Sequence, residues 1–244
     1  MDNTTFVALS RQMTLRRELD IVANNIANAD TAGFKVESLL TATEQRRPAK
    51  DVSLKHQVRF TLDTGVARDF AQGALKPTGN TFDLALEGEG FLSVSTEAGT
   101  RYTRDGRLGM SADGLLTTKA GDPVLDEGGA EIRLNTAGGP PTFSANGTVR
   151  QGDTVVGKIA VVRFDNLSAL SKEGNGRYAA DGVEPVAAPD VQLKQGMVEG
   201  SNAQPVLEVV KLIELSRAYE RMTKMVDQSQ DLSRRAVERL GRTQ

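Results

Sequence analysis

The spacing of apolar residues changes period twice along the chain, and the two changes divide it into three zones. At the start, Phe6, Leu9 and Met13 follow three- and four-residue spacing, and Leu15, Leu19, Val22 and Ile26 resume it after a slip, as an amphipathic helix would. The stripe is narrow, with Arg11, Arg16, Arg17, Glu18 and Asp20 on the rest of the helix. It is nearer to a coiled-coil seam than to the broad apolar face of a globular-core helix. Gly33 ends the element. At the other end, no Gly or Pro interrupts the chain from just after Pro205 to about Leu240, and Pro205 suits a first helical turn. Leu212, Leu215, Tyr219, Met222 and Val226 keep 3-4-3-4 spacing, and Ser229, Ser233, Ala236 and Leu240 continue the frame more weakly. A helix over this stretch is roughly 50 Å long at about 1.5 Å per residue. Such a narrow stripe needs another helix alongside it, from the other end of the chain or from a neighbouring molecule.

Residues 36 to 200 read as strands and turns. "DLALEGEGFLSVS" holds two short alternating runs, Leu84/Leu86 and Leu92/Val94, around a Gly88–Gly90 break. Asp113-Gly114 and Asn146-Gly147 are the strongest hairpin signals, and "KIAVVRF" (158 to 164) reads as a buried strand. The stretch from Glu37 to about Thr64 is polar without a clear period and reads as an extended arm that gains order on contact. The expected fold class is α+β: a β-rich central domain (73–200) flanked by an N-terminal helix (1–34) and a C-terminal helix (201–244). The two helices pair as a coiled-coil-like terminal domain, and an extended linker occupies 35–72.

With 244 residues there is length for a sizeable core, but 39% hydrophobic and 5% aromatic content, without Trp, makes it modest, so parts of the chain depend on partners for order. A net charge of −2 with interspersed signs gives no nucleic-acid or anionic-membrane surface. Absence of cysteine removes disulfides, thiolate metal sites and cysteine nucleophiles. The opening "MDNTTFVALSRQ" has neither the basic nor the apolar region of a cleavable secretory signal, and no run approaches the 18 or so apolar residues of a membrane span. Export, if it occurs, is expected to use a route that reads neither.

Candidate chemistry is sparse. His56, the single histidine, lies in the polar "SLKHQV" and reads as solvated rather than as part of a triad or metal site. "EGEGF" (87 to 91) lacks the frame of a phosphate loop and reads as a turn between strands. "SADG" and "LDEGG" lack the ligand spacing of a calcium loop. Glu87 and Glu89 share a strand face that solvent explains as well as acid–base work does. The expectation is no enzyme, no cofactor and no metal. A monomeric periplasmic binding module is the alternative class; no exposed aromatic cluster supports it, since there are only three Tyr and eight Phe and most Phe fall in apolar runs.

"VANNIANADTAGFK" (22 to 35) places three asparagines where a helix closes. From the residues alone this reads as a C-cap ended by Gly33, with register-fixing contacts as the other reading. The stretch resembles the N-terminal signature of bacterial flagellar rod and hook axial proteins, which Asn24, Asn25, Asn28, Thr31, Gly33, Phe34 and Lys35 fit. "GALKPTGNTFDLALEGEGFLSV" resembles an internal pattern of that family at Gly73, Leu75, Thr78, Gly79, Asp83, Leu84, Gly88, Gly90 and Phe91. "GMVEGSNAQPVLEVVKLIELSRAYE" is similar to its C-terminal region, with Glu199, Ser201, Asn202, Tyr219 and Glu220 in place. The opening, the length and "IELSRAYE" are nearer to proximal-rod members than to distal-rod members, which remain the competitor.

The resemblance implies a structural subunit of the periplasmic rod, exported unfolded by the flagellar type III apparatus. Its partners would be copies of itself and other rod proteins, without nucleic acid or membrane insertion. The terminal helices would line an inner tube and assemble through Asn24, Asn25, Asn28, Thr31, Gly33, Phe34, Lys35, Leu212, Leu215, Tyr219, Met222 and Val226, the asparagines fixing register across subunits.

Overall fold

The computed structural model describes residues 3–45 and 59–241; His56 lies outside the described residues. The chain forms two compact units. A helical unit takes Met1–Ala27, Glu37–Arg68 and Gln204–Gln244, and a β unit takes Asn28–Val36 and Asp69–Ala203. With helices at both ends and a β-rich middle, the chain is α+β.

In the helical unit, α1 (Asn3–Ala27) and α2 (Pro205–Gly241) run antiparallel. Gln12 Nε2 donates to Thr223 Oγ1 at 3.1 Å, and thirteen residues on Asn25 Nδ2 donates to Glu208 Oε2 at 3.1 Å. At about 1.5 Å per residue, α2 is about 55 Å long. The periodic residues Leu212, Leu215, Tyr219, Met222 and Val226 are all half-buried along one face. On α1 the buried line differs from the apolar spacing: Ala8, Leu15 and Val22 recur every seven residues, joined by Thr14 and Asn25. Leu9 (47% exposed) and Met13 (67%) face outward. A side chain as small as Ala8 or Thr14 carries little weight in a hydrophobic stripe, which is why spacing alone places the seam on the larger residues.

β1 (Glu37–Gln45) and β2 (Arg59–Arg68) form an antiparallel ribbon, paired from Glu37↔Arg68 to Gln45↔Arg59. The sequence marks this stretch only as an extended arm, because Thr, Ala and charged residues give it no apolar period. A one-residue bulge breaks the register after Leu40, where Thr64 Oγ1 donates to the Leu40 carbonyl at 2.9 Å.

The β unit is built of short antiparallel strands. In chain order these are β3 (Leu75–Pro77), β4 (Leu84–Glu87), β5 (Phe91–Thr96), β6 (Gly99–Thr103), β7 (Leu108–Met110), β8 (Leu116–Thr118), β9 (Pro141–Phe143) and β10 (Thr148–Gln151). They continue as β11 (Thr154–Lys158), β12 (Val161–Arg163), β13 (Leu170–Lys172), β14 (Arg177–Ala180), β15 (Val186–Ala187), β16 (Gln192–Gln195) and β17 (Met197–Glu199). The largest sheet has the order β13-β14-β6-β5-β12-β15. Both expected hairpins are present: β7–β8 turns through Asp113-Gly114 and β9–β10 through Asn146-Gly147, each glycine at positive φ. "KIAVVRF" is not one strand. β11 ends at Lys158 and β12 starts at Val161 in another sheet, with Ile159 buried between them.

β5 lies between two cores, because successive side chains of a strand point to opposite faces. Leu92 and Val94 join Leu84, Leu86, Leu116, Val124 and Val149 in an aliphatic core. Phe91 joins Tyr102, Phe164, Leu170 and Tyr178 in an aromatic one. The rings meet edge-on, with centroids 4.8 Å apart for Tyr102–Phe164 and 5.8 Å for Phe91–Phe164. Leu84 is completely buried, so Leu84→Ala is expected to lower the stability of the β unit by about 2–5 kcal/mol in urea unfolding. Val186→Ala, at an exposed strand, should shift it by no more than about 0.5 kcal/mol.

Candidate functional site

The β unit buries a carboxylate at the ends of the segments through which the chain enters and leaves it. Glu199, the last residue of β17, is completely buried. Its Oε1 accepts from Lys35 Nζ at 2.7 Å and from the Gly73 backbone N–H at 2.9 Å, and its Oε2 accepts from Arg104 Nε at 2.7 Å. Lys35 and Arg104 are themselves buried, so two cations meet one anion out of water. Further donors are directed at backbone carbonyls. Lys35 Nζ donates to Ala71 O at 2.7 Å, and the Arg104 guanidinium donates to Gly90 O at 2.8 Å and Gly88 O at 3.0 Å. The guanidinium fork thus braces the Gly88–Gly90 turn while lying 5.9 Å from the Phe91 ring centroid.

The backbone around Glu199 is tied in as well. The Gly33 N–H donates to the Glu199 carbonyl at 2.9 Å. Gly33 sits at φ +69°, and a Cβ there would lie 2.6 Å from the Arg104 backbone, so both conformation and space require glycine. Asn202 joins three segments: its Oδ1 accepts from the Val36 N–H at 2.8 Å, and its Nδ2 donates to Asp69 O at 2.8 Å and Ala71 O at 3.1 Å. Phe34 is buried with Lys172 Nζ 4.6 Å from its ring centroid.

The helical unit has its own polar node. Asn25, 1% exposed, donates through Nδ2 to the Glu37 carbonyl at 2.9 Å and accepts through Oδ1 from the Glu37 N–H at 3.0 Å. It pairs the first residue of β1 as a neighbouring strand would, which needs a donor and an acceptor on one short side chain. Its third bond goes to Glu208, whose other oxygen accepts from Lys211 Nζ at 2.6 Å, and Arg68 Nε donates to Glu37 Oε1 at 2.9 Å.

The residues singled out by sequence therefore fall into separate places. Lys35, Gly33, Phe34, Gly73, Gly88, Gly90 and Phe91 gather around Glu199 and Arg104, while Leu84 lies in the aliphatic core. Asp83 is held beside the Gly79 turn, accepting from Thr78 Oγ1 at 2.7 Å and Asn80 Nδ2 at 3.0 Å, and Leu75 lies half-buried in β3. Asn28 accepts from Thr31 Oγ1 at 3.1 Å in the turn after α1, and Asn24 lies on the exposed face of α1. Sequence reasoning missed Arg104 and Glu208. Nothing local marks an arginine whose partner lies 95 residues away, and Glu208 shows only as an acidic residue in a helical first turn.

Glu87 and Glu89 are exposed, and Glu87 pairs with Lys194 at 3.1 Å. Among the described residues no three His, Cys, Asp or Glu side chains gather to hold a metal, and no helix is long and apolar enough to cross a membrane.

Residues 7–35 match the family described as "Flagella basal body rod protein", 85–151 the "Flagellar hook protein FlgE/F/G D1 domain" and 194–239 the "Flagellar basal body rod FlgEFG protein C-terminal". The chain is 53% identical over 243 residues to the flagellar basal-body rod protein FlgF of Caulobacter vibrioides, covering 99% of both. The chain belongs to the flagellar basal-body rod protein family. Its identity to the FlgF of Mesorhizobium japonicum is 40% over 248 residues, again 99% of each chain. Against the rod protein FlgG of Bacillus subtilis it is 26% over 260 residues, 97% of this chain and 98% of that one. All three family matches reach the polar nodes: the first holds Asn25, Gly33 and Lys35, the second Gly88, Gly90 and Arg104, and the third Glu199, Asn202 and Glu208.

Burial pulls the Lys35 pKa below the ordinary lysine value, Arg104 pushes the same way, and the hydrogen bond to Glu199 only partly offsets them. The unfolded chain therefore binds this proton better, and the stability of the β unit rises with pH between the folded pKa of Lys35 and its ordinary 10.5. Lys35→Met should abolish that rise in urea midpoints measured across the alkaline range, while leaving Glu199 paired with Arg104. Glu199→Gln leaves two buried cations without an anion and should cost about 3–5 kcal/mol, more than Lys35→Met. Asn25→Ala strands both backbone groups of Glu37. It should destabilise the helical signal in circular dichroism by at least about 1–3 kcal/mol.

Proposed function

We propose that this chain works as a FlgF-type, proximal-rod subunit that assembles through its terminal helices. Its family makes it a structural subunit of the flagellar basal-body rod and not an enzyme. The observation that carries the assembly reading is α2, which keeps Val206 (76% exposed), Leu207, Val209, Val210, Ile213, Met225 and Leu232 outside its contact with α1. In its first turns α2 is apolar on nearly every side, as a helix surrounded by other helices would be. Leu9 and Met13 extend the unpartnered surface onto α1.

Neighbouring copies and other rod proteins cover these faces. The segments 1–34 and 201–244 pair in coiled-coil fashion to form the inner tube, 73–200 faces outward and 35–72 links them. Contacts that join unlike faces and do not close give a helical array, which suits an axial tube that transmits torque. Within it the outward Asn24, with Asn28 and Thr31 of the following turn, meets adjoining subunits, and the half-buried row from Leu212 to Val226 completes the seam. Asn25, Gly33, Phe34 and Lys35 support these contacts by holding the chain where α1 ends. The subunit reaches the periplasm unfolded through the flagellar type III apparatus. The lower identity to the distal-rod protein FlgG supports the proximal position.

Replacing Val209 and Ile213 together by Lys is expected to abolish motility and incorporation into purified basal bodies. The urea midpoint of the β unit should move by no more than about 0.5 kcal/mol, since neither residue belongs to its core. Asn24→Ala should lower incorporation without unfolding the β unit. Normal incorporation of both variants would sink the assembly reading.

A further inference from the structure

The helical unit carries a groove of about 700 Å³ between α1, α2 and the first residues of the ribbon. Its floor is apolar: Leu15 and Val22 are buried there, and Leu39 and Leu215 are half-buried. Along the rim, Arg11 is matched by Glu18 at 3.8 Å, Glu37 by Arg68 at 2.9 Å and Lys211 by Glu208 at 2.6 Å. Among the described residues the rim side chains Glu214, Arg217 and Arg221 are in no salt bridge, so the end of the groove farther along α2 is left cationic. At about 100° per residue, the exposed Leu207 and Met225 prolong the groove side of α2 past both ends. An apolar floor with free cations at one end fits a helix that presents aliphatic side chains followed by a carboxylate.

α2 carries that order on its other side. Val209, Ile213 and Glu220 are exposed and fall within about 40° of one another, about 140° round the helix from the groove side. Among the described residues Glu220 is in no salt bridge. The axial levels agree as well. The Gln12–Thr223 and Asn25–Glu208 hydrogen bonds set Ile21 of the groove level with Ile213. From Ile213 to Glu220, and from Leu215 to Arg221, the helix advances about 10 Å at roughly 1.5 Å per residue. A parallel α2 laid in the groove without axial shift therefore sets Ile213 against the apolar floor and Glu220 beside Arg217 and Arg221. Copies related by rotation about an axis along their helices present parallel helices to one another.

We propose that the groove between α1, α2 and the ribbon receives, from a second copy of this chain, the face of α2 that carries Val209, Ile213 and Glu220. The contact rests on the rod-subunit reading and names what fills one particular surface and in which register. It joins unlike sides of one helix, so each copy offers a groove to one neighbour and a face to another.

The chain has no cysteine, so thiols can be placed singly. Full-length Ile21→Cys and full-length Ile213→Cys are made together in flagellated cells that lack the native chain, and their purified basal bodies are treated with a short bismaleimide. The expected product is a covalent pair containing one of each variant, absent when either variant is made alone. Without the cysteines, Arg217→Glu combined with Arg221→Glu, and separately Glu220→Arg, should each lower incorporation into basal bodies several-fold. All three substitutions in one chain should restore it. Normal incorporation of the cysteine variants without the mixed pair overturns this inference and leaves the rod-subunit reading standing. A covalent pair formed by either variant alone shows like faces meeting and overturns it as well. Reversals that lower incorporation with no recovery in the triple variant place a different protein in the groove and overturn the second copy as its occupant. Absence of the unsubstituted chain from purified basal bodies removes this inference and the rod-subunit reading together.

Discussion

A carboxylate buried without water must be answered on both oxygens, and Glu199 is answered by a lysine, an arginine and a backbone N–H from three separate stretches of chain. Removing one partner from such a cluster costs far more than its assembly contributes, so Lys35, Gly73 and Arg104 are held as a set. The consequences spread outward from there. Within the β unit, Lys35 ties in the segment 28–36, Gly73 the segment that starts at Asp69, and the backbone of Glu199 leads on to Asn202, which bonds both. The Gly88–Gly90 turn is shaped by the same guanidinium, which links the node to Phe91 and the aromatic core.

The helical unit works under the opposite constraint. Among the described side chains of α1 the buried line is Ala8, Thr14, Leu15, Val22 and Asn25, a small apolar area for so long a helix. Among its described side chains, α2 leaves more large apolar groups exposed than it buries. Asn25 supplies direction by pairing both backbone groups of Glu37, so the ribbon starts in one register. A unit with defined register and incomplete burial is suited to being finished by neighbours, and family membership supplies the setting for that.

How much of this the sequence discloses depends on whether the signal is local. The hairpins at Gly114 and Gly147 and the row from Leu212 to Val226 were legible, because turn chemistry and helical spacing act within a few residues. The ribbon was not, since Thr41, Ala42 and Thr64 give no apolar alternation and its pairing spans up to 31 residues. Splitting "KIAVVRF" into two strands depends on a sheet change at Ile159–Ala160 that an all-apolar run conceals. The motif glycines and Lys35 could be marked only as a pattern; their reason is Arg104 and Glu199, which come together from distant positions. The asparagine cluster divides the same way, with Asn25 buried in a backbone mimic and Asn28 in the closing turn.

Limited trypsin digestion of the purified chain, followed by fragment masses, tests the central claim most directly. The account predicts early cuts at the exposed Arg217, Arg221 and Lys224 of α2, whose apolar face lacks its partners. Lys35 and Arg104 stay uncut because the Glu199 node holds both out of reach. Early cleavage at Lys35 or Arg104, or an α2 that resists in a monomeric chain, would contradict it.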